Sequence, residues 1–406
     1  MRQDERRCGG AVVRGAAARR VRQARVAMRG AVCHKSPEFF TTMPDPTPAA
    51  PIVAQPAAAA PPSDAPVLRI ENLSTAFETE NGLLTAVDGV SLDVPRGKTL
   101  GIVGESGSGK SVTALSIMRL LPHPHGKIIG GHIWFDGRDL AALPLSELRQ
   151  IRGRRIGMVF QEPMTALNPS HRVGKQIAEA ILLHERLSKA EARQRALELL
   201  AQAGIPAPQE RLDAYPHQLS GGMRQRVVIA IALACNPELL ICDEPTTALD
   251  VTIQAQILDL LKKLKAQRNM TVILITHDLG VIAENADDVA VMYAGRIVER
   301  APAETLFTRP LHAYTQALLQ AIPALEGVPK TPLFSIKGQV PSLGELKPGC
   351  RFAPRSGRPY TEADLLERPP FVEIEPGHWV ENSRVCVGGG GEGVGGGEGA
   401  QVEGQG

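Results

Sequence analysis

The chain has 406 residues, 43% of them hydrophobic and only 4% aromatic, which suits two or three globular domains and excludes a wholly disordered protein. Its net charge of +2 is unevenly placed. Residues 1–35 carry nine arginines and Lys35 against Asp4 and Glu5, leaving a body of −6 without the basic balance expected of a nucleic-acid-binding protein.

The longest uninterrupted apolar run of that body, 227–235, falls far short of the roughly 20 residues a membrane-spanning helix needs. The basic arm superficially resembles an organelle transit peptide or a nucleic-acid-binding tail. Because Met43 opens the next segment, it reads better as a translated upstream stretch or an extension without function. Residues 43–66 are mostly Pro, Ala and small polar side chains, which bury too little apolar surface to offset chain entropy, so 1–66 is expected to form a basic arm and extended linker. Cys8, Cys33, Cys235, Cys242, Cys350 and Cys386 have no paired spacing, as in a reduced cytosolic protein.

Residues 68–77 and 83–94 read as strands of an antiparallel flap, separated by a polar turn. A short apolar strand, 99–103, then leads into Gly104, Glu105, Ser106, Gly107, Ser108, Gly109, Lys110 and Ser111, with an amphipathic helix expected over 111–121. Strand, glycine loop and helix form the context of a phosphate site: the glycines let successive N–H groups face the phosphates, and the helix N-terminus adds its positive end. Lys110 would reach the β and γ phosphates of a nucleotide, and Ser111 would offer a hydroxyl to Mg²⁺.

Further along, Met158, Val159 and Phe160 lead to Gln161, whose amide carbonyl could also reach Mg²⁺. A helical insertion follows. Ser188 and Glu191 form a capping box, Ala196, Leu199, Leu200 and Ala203 share one face, and Gly204 supplies the stop. Leu219, Ser220, Gly221, Gly222 and Met223 come next, before an apolar helix expected over 227–235. Ser220 would serve as an ordinary N-cap, but two glycines cost about 1 kcal/mol each in a helix unless something approaches the backbone closely. An apolar strand then ends in Asp243 and Glu244, which suits a Mg²⁺ ligand followed by a general base. A last buried-type strand, 270–276, delivers His277 to its C-terminal end.

The Leu-Ser-Gly-Gly-x-x-x-Arg element between a phosphate loop and its acidic strand closely resembles the signature of ATP-binding-cassette (ABC) ATPases. That resemblance covers about residues 67–301. It implies an α/β phosphate-loop NTPase fold with an antiparallel flap and an inserted helical subdomain at about 162–220. It also implies ATP and Mg²⁺ as ligands, Gln161 and His277 as sensors of the γ-phosphate, and a head-to-tail dimer. In that dimer Ser220, Gly221 and Gly222 face the γ-phosphate held by the partner subunit, and Asp250 closes the dimer-contact loop. Phe77 is the candidate to stack on adenine, with a plain packing role as the alternative.

Three C-terminal stretches narrow the resemblance to the ATPases of dipeptide, oligopeptide and nickel importers. They are Arg309 through Leu319, Gly338 through Ser342, and Gly349 through Arg355, within an extension over 302–386 that precedes a glycine-rich, disordered tail at 387–406. The implied partners are a second ATPase subunit, identical or similar, two membrane permeases and an external solute-binding protein, with the chain peripheral on the cytoplasmic face of a bacterial inner membrane. The main alternative is a soluble ABC-type ATPase of DNA repair or translation. Such chains carry long coiled-coil insertions or two cassettes, whereas this one has a single motif set.

Two departures stand out. Ala313 replaces a usual proline, and Ser356 stands where the family often has a second cysteine of a set associated in some members with an iron–sulfur cluster. Only Cys350 is cleanly retained, with Cys386 displaced towards the tail. Four thiolates are the normal requirement, so no cluster is expected.

Overall fold

The computed structural model describes residues 65–80, 82–247, 249–322 and 334–387. The basic arm, nearly all of the linker and the tail from 388 onward lie outside the described residues. The strands are β1 (Leu68–Thr79), β2 (Gly82–Val94), β3 (Thr99–Val103), β4 (Gly126–Phe135), β5 (Arg138–Asp139), β6 (Ile156–Val159), β7 (Leu239–Asp243), β8 (Thr271–Thr276), β9 (Asp288–Tyr293), β10 (Arg296–Pro302), β11 (Phe371–Glu375) and β12 (His378–Glu381).

Every residue of β3, β7 and β8 is buried, as in parallel strands covered on both faces. Alternate side chains divide between two cores. Leu100, Ile102, Leu239, Ile241, Ile273 and Ile275 face the flap, whereas Val103, Leu240, Cys242, Val272 and Leu274 face the helices. The sheet runs β11-β12-β10-β9-β3-β8-β7-β6, parallel from β9 to β6 and antiparallel at the β10, β12 and β11 end.

The expected flap hairpin forms, within a four-stranded sheet of order β2-β1-β4-β5. The strand β4 is not legible from the sequence, because Gly126, Gly130 and Gly131 read as turn residues. In the structure Gly131 sits at φ +85°, where a Cβ would lie 2.4 Å from the Asn72 carbonyl oxygen; the glycine permits a bulge against β1.

Three helix boundaries have identifiable causes. The helix after the phosphate loop spans Lys110–Ile117 and stops short of 121, because Arg119 adopts φ +47° and the Leu120 N–H returns to the Leu115 carbonyl. The helix of the inserted region, Lys189–Gln202, has both hydrogen bonds of the Ser188–Glu191 capping box and ends before Gly204 at φ +70°. The helix after Ser220 begins at Gly221, six residues before the expected start, and so contains the glycine pair.

The C-terminal extension is joined to the nucleotide core by a shared sheet. Its strand β12 pairs with β10, and the fully buried Glu299 on β10 accepts the N–H groups of Leu311 and His312 and lies 2.8 Å from His378 Nε2. Val387, read from sequence as the first tail residue, instead bridges to His312 in antiparallel fashion.

Candidate functional site

Four neighbouring parallel strands bring the motifs together. In the order β3-β8-β7-β6, their C-terminal ends carry the glycine loop, His277, the Asp243–Glu244 pair and Gln161, so residues distant in sequence line one edge of the sheet.

The glycine loop is curled around Lys110, which is 4% exposed and donates from Nζ to the Gly104 and Glu105 carbonyls at 2.8 and 2.9 Å. Burial lowers the Lys110 pKa, opposed by the carboxylates of Glu244, Asp243 and Glu105. A Cβ on Gly104 would come within 2.1 Å of the Met292 carbonyl oxygen, and Gly107 sits at φ +79° with open space around it. The first glycine thus answers to close packing and the second to backbone conformation. Ser106 and Gly107 are exposed at the loop tip, Gly109 is the left-handed N-cap of the following helix, and the buried Ser108 hydroxyl has no protein hydrogen-bond partner.

Ser111 Oγ donates to Asp243 Oδ1 at 3.0 Å. Burial raises the Asp243 pKa, and the Ser111 bond opposes the shift. Glu244 turns the chain after β7 with φ +46°, a left-handed conformation that costs a non-glycine residue roughly 1–2 kcal/mol. Its Oε2 accepts from Gln161 Nε2 at 3.2 Å and Thr247 Oγ1 at 2.8 Å, and His277 Nδ1 lies 3.4 Å away. The hydrogen bond to His277 lowers the Glu244 pKa and raises that of His277. An amide, a hydroxyl and an imidazole therefore meet at the Glu244 carboxylate, and the oxygen atoms among these groups, with Ser111 and Asp243, suit hard cations.

The Ser220 element stands apart from this array. Ser220 is exposed and caps its helix by accepting the Met223 N–H, and Asp250 does the same for Ile253 at the start of the helix Val251–Arg268. A Cβ on Gly222 would lie 2.6 Å from Ile253 Cγ2, so this glycine is needed for helix packing within the chain; Gly221 meets only an ordinary 3.6 Å contact. The half-buried Phe77 has its ring edge against Gly126 of β4. Sequence reasoning missed Thr247 as a support of Glu244, because nothing separates it from its neighbour Thr246 in the sequence.

A parallel sheet whose strand ends carry a glycine phosphate loop, a paired-acid strand and a histidine, with an inserted helical region, defines an ATPase of the ABC class. The ABC transporter family profile matches residues 87–247, and that of the oligopeptide/dipeptide transporter C-terminal region matches 298–362. A probable peptide ABC transporter ATP-binding protein of Sinorhizobium fredii is 53% identical over 324 residues, covering 79% of this chain and 96% of the relative. The oligopeptide transport ATP-binding protein OppD of Bacillus subtilis is 50% identical, covering 78% and 88%. The dipeptide transport ATP-binding protein DppD of the same organism is 54% identical, covering 71% and 86%. Among solved structures, the dimeric ATP-binding cassette MJ0796 in a post-hydrolysis state with ADP and Pi superposes with a TM-score of 0.53 at 32% identity, covering 58% of this chain and 98% of that one. The chain belongs to the dipeptide and oligopeptide importer family of ABC transporter ATP-binding proteins. The matches do not support the DNA-repair or translation alternative.

Although Cys386 lies 36 residues beyond Cys350, its Sγ stands 2.8 Å from that of the buried Cys350, because the 350 loop and the chain after β12 fold onto each other, and His312 stands beside both. This donor set does not fit a four-thiolate cluster. Ser356 Oγ is engaged with the Ala353 carbonyl and the Arg358 N–H, and Cys235 and Cys242 are buried elsewhere. His312 accepts the Tyr314 N–H at Nδ1, which puts its proton on Nε2, where a metal would need a lone pair.

Proposed function

We propose that the chain hydrolyses ATP as the energising subunit of a bacterial peptide importer, peripheral on the cytoplasmic face of the inner membrane. In this reading it pairs with a second ATPase subunit, identical or similar, and drives two permeases supplied by an external solute-binding protein. The observation that carries the reading is identity of 50% or more to peptide-transport relatives over 291 to 324 residues, beside the match of residues 298–362 to the oligopeptide/dipeptide transporter C-terminal region.

The loop N–H groups of residues 104–111 and Lys110 would bind the triphosphate. Ser111, Asp243 and Gln161 would hold Mg²⁺, which would supply positive charge to neutralise that of the phosphates. Glu244 would polarise the attacking water, held by Thr247 and Gln161 with His277 alongside. Ser220, Gly221 and Gly222 would close on nucleotide bound by the second subunit, with Asp250 at the seam. This fits the exposure of Ser220, Gly221 and Asp250.

Uptake of labelled dipeptides and oligopeptides in cells lacking the gene tests this reading. Restoration by the normal chain and not by Glu244→Gln is expected. Normal peptide uptake without the gene would refute it.

A further inference from the structure

Three stretches of the C-terminal extension have no part in the chemistry above, yet they meet at one residue of the phosphate loop. Arg355, closing the Gly349 stretch, grips the Glu105 carboxylate through two parallel bonds, Nη1 to Oε2 at 2.7 Å and Nη2 to Oε1 at 3.0 Å. Tyr314, on the helix Ala313–Gln320, accepts the Glu105 N–H on its hydroxyl at 2.9 Å. The Gly338 stretch then fixes the arginine: Arg355 Nη2 donates to the Gly338 carbonyl and Nε to that of Lys337. Arg355 also reaches the Tyr293 hydroxyl, at the end of the strand beside β3. The remaining polar group of Glu105, its carbonyl, accepts from Lys110.

The extension thus takes up two of the three polar groups of a residue whose third holds the phosphate lysine. An exposed ion pair would contribute little. Here the arginine side chain is only 8% exposed, the geometry is bidentate and the tyrosine is fully buried, which makes the contact charge-assisted and rigid. A loop that must keep its N–H groups convergent gains from being fixed before the nucleotide arrives, because less ordering is then required on binding.

We propose that Arg355 and Tyr314 are positioning residues of the nucleotide site, through which the C-terminal extension presets the phosphate loop for ATP. The inference rests on the reading of residues 104–111 as the ATP site. Presetting acts equally on ground and transition states, so its loss raises KM and leaves kcat nearly unchanged.

The test uses the full chain, with steady-state ATPase kinetics, equilibrium ATP binding and thermal unfolding on each variant. Arg355→Ala and Glu105→Ala should each raise KM and Kd about tenfold with kcat within about twofold, and the double variant should be no worse than either single one. Arg355→Lys should recover part of the loss and Tyr314→Phe should raise KM. An unchanged KM in folded Arg355→Ala, additive losses in the double variant, or a fall in kcat at constant KM would overturn the proposal. If Arg355→Ala does not fold, Glu105→Gln and Tyr314→Phe decide on the same readouts. Lys110→Ala separates the two readings: retained ATP binding there would sink the site assignment itself, whereas lost binding there with normal KM in Arg355→Ala sinks only the presetting.

Discussion

At the scale of single residues, the acid pair divides its work by environment. Asp243 is buried beneath Ser111 with its pKa raised, while Glu244 is held lower by His277 and projects from a left-handed turn. In the proposed site Lys110 would meet ground-state phosphate charge, and Glu244 would act in the hydrolytic step. Lys110→Ala should therefore abolish ATP binding, whereas Glu244→Gln should keep it and lower turnover by at least about a hundredfold, measured by nucleotide binding and phosphate release.

The same carboxylate makes a prediction for His277. Its raised pKa means that the Glu244 contact stabilises the fold fully below the ordinary histidine value of about 6.5 and is lost as pH rises through the folded value. The depressed pKa of Glu244 places the acid limit of the same contact below the usual carboxylate range. The imidazole is 61% exposed, so the stabilisation is small and the titration is the better readout. An NMR titration of His277 should give a midpoint above 6.5 that falls in Glu244→Gln; equal midpoints in the two proteins would remove Glu244 as the cause.

At the scale of elements, the chain's C-terminal third folds around two polar anchors, one buried and one half-buried. Glu299 gathers the N–H groups of Leu311 and His312 with His378, and Asp88 of the flap collects Arg296, Arg351 and Arg368. These contacts draw Cys350 and Cys386 together. A hydrogen bond from the Cys386 thiol lowers the Cys350 pKa and raises its own. Two sulfurs with a histidine protonated towards them do not supply the four soft ligands a cluster requires. Iron and acid-labile sulfide analysis of anaerobically purified protein should find neither in stoichiometric amount; stoichiometric iron and sulfide lost in Cys350→Ser would contradict this.

At the scale of the whole molecule, the phosphate loop and the Ser220 loop belong to different regions. The former follows β3 at the sheet's centre, and the latter, itself exposed at Ser220, caps the largely buried helix Gly221–Ala232, which packs on Val251–Arg268. In the proposed reading one chain would not close both on a single nucleotide. The isolated subunit should hydrolyse ATP slowly, with specific activity rising with protein concentration or on adding a partner subunit. Full activity in a strictly monomeric sample, checked by light scattering, would overturn the two-subunit site.

The sequence by itself determined the features that are local in the chain. The strand into Gly104, the capping box at Ser188, and the acids ending β7 rest on propensity, periodicity and turn chemistry within a few residues of each other. Long-range approach decided the rest. β4 hid behind glycines, of which Gly131 permits a bulge against Asn72, and the helix after Lys110 ended at an arginine that no local rule marks as left-handed. Gly222 shows its reason only where Ile253 leaves no room for a side chain. Cys386 meets Cys350, and Arg355 meets Glu105 across 250 residues of chain, in a fold where β12 has joined the nucleotide core's sheet. Such contacts depend on which surfaces the packed sheet brings together, and residue spacing carries no record of that.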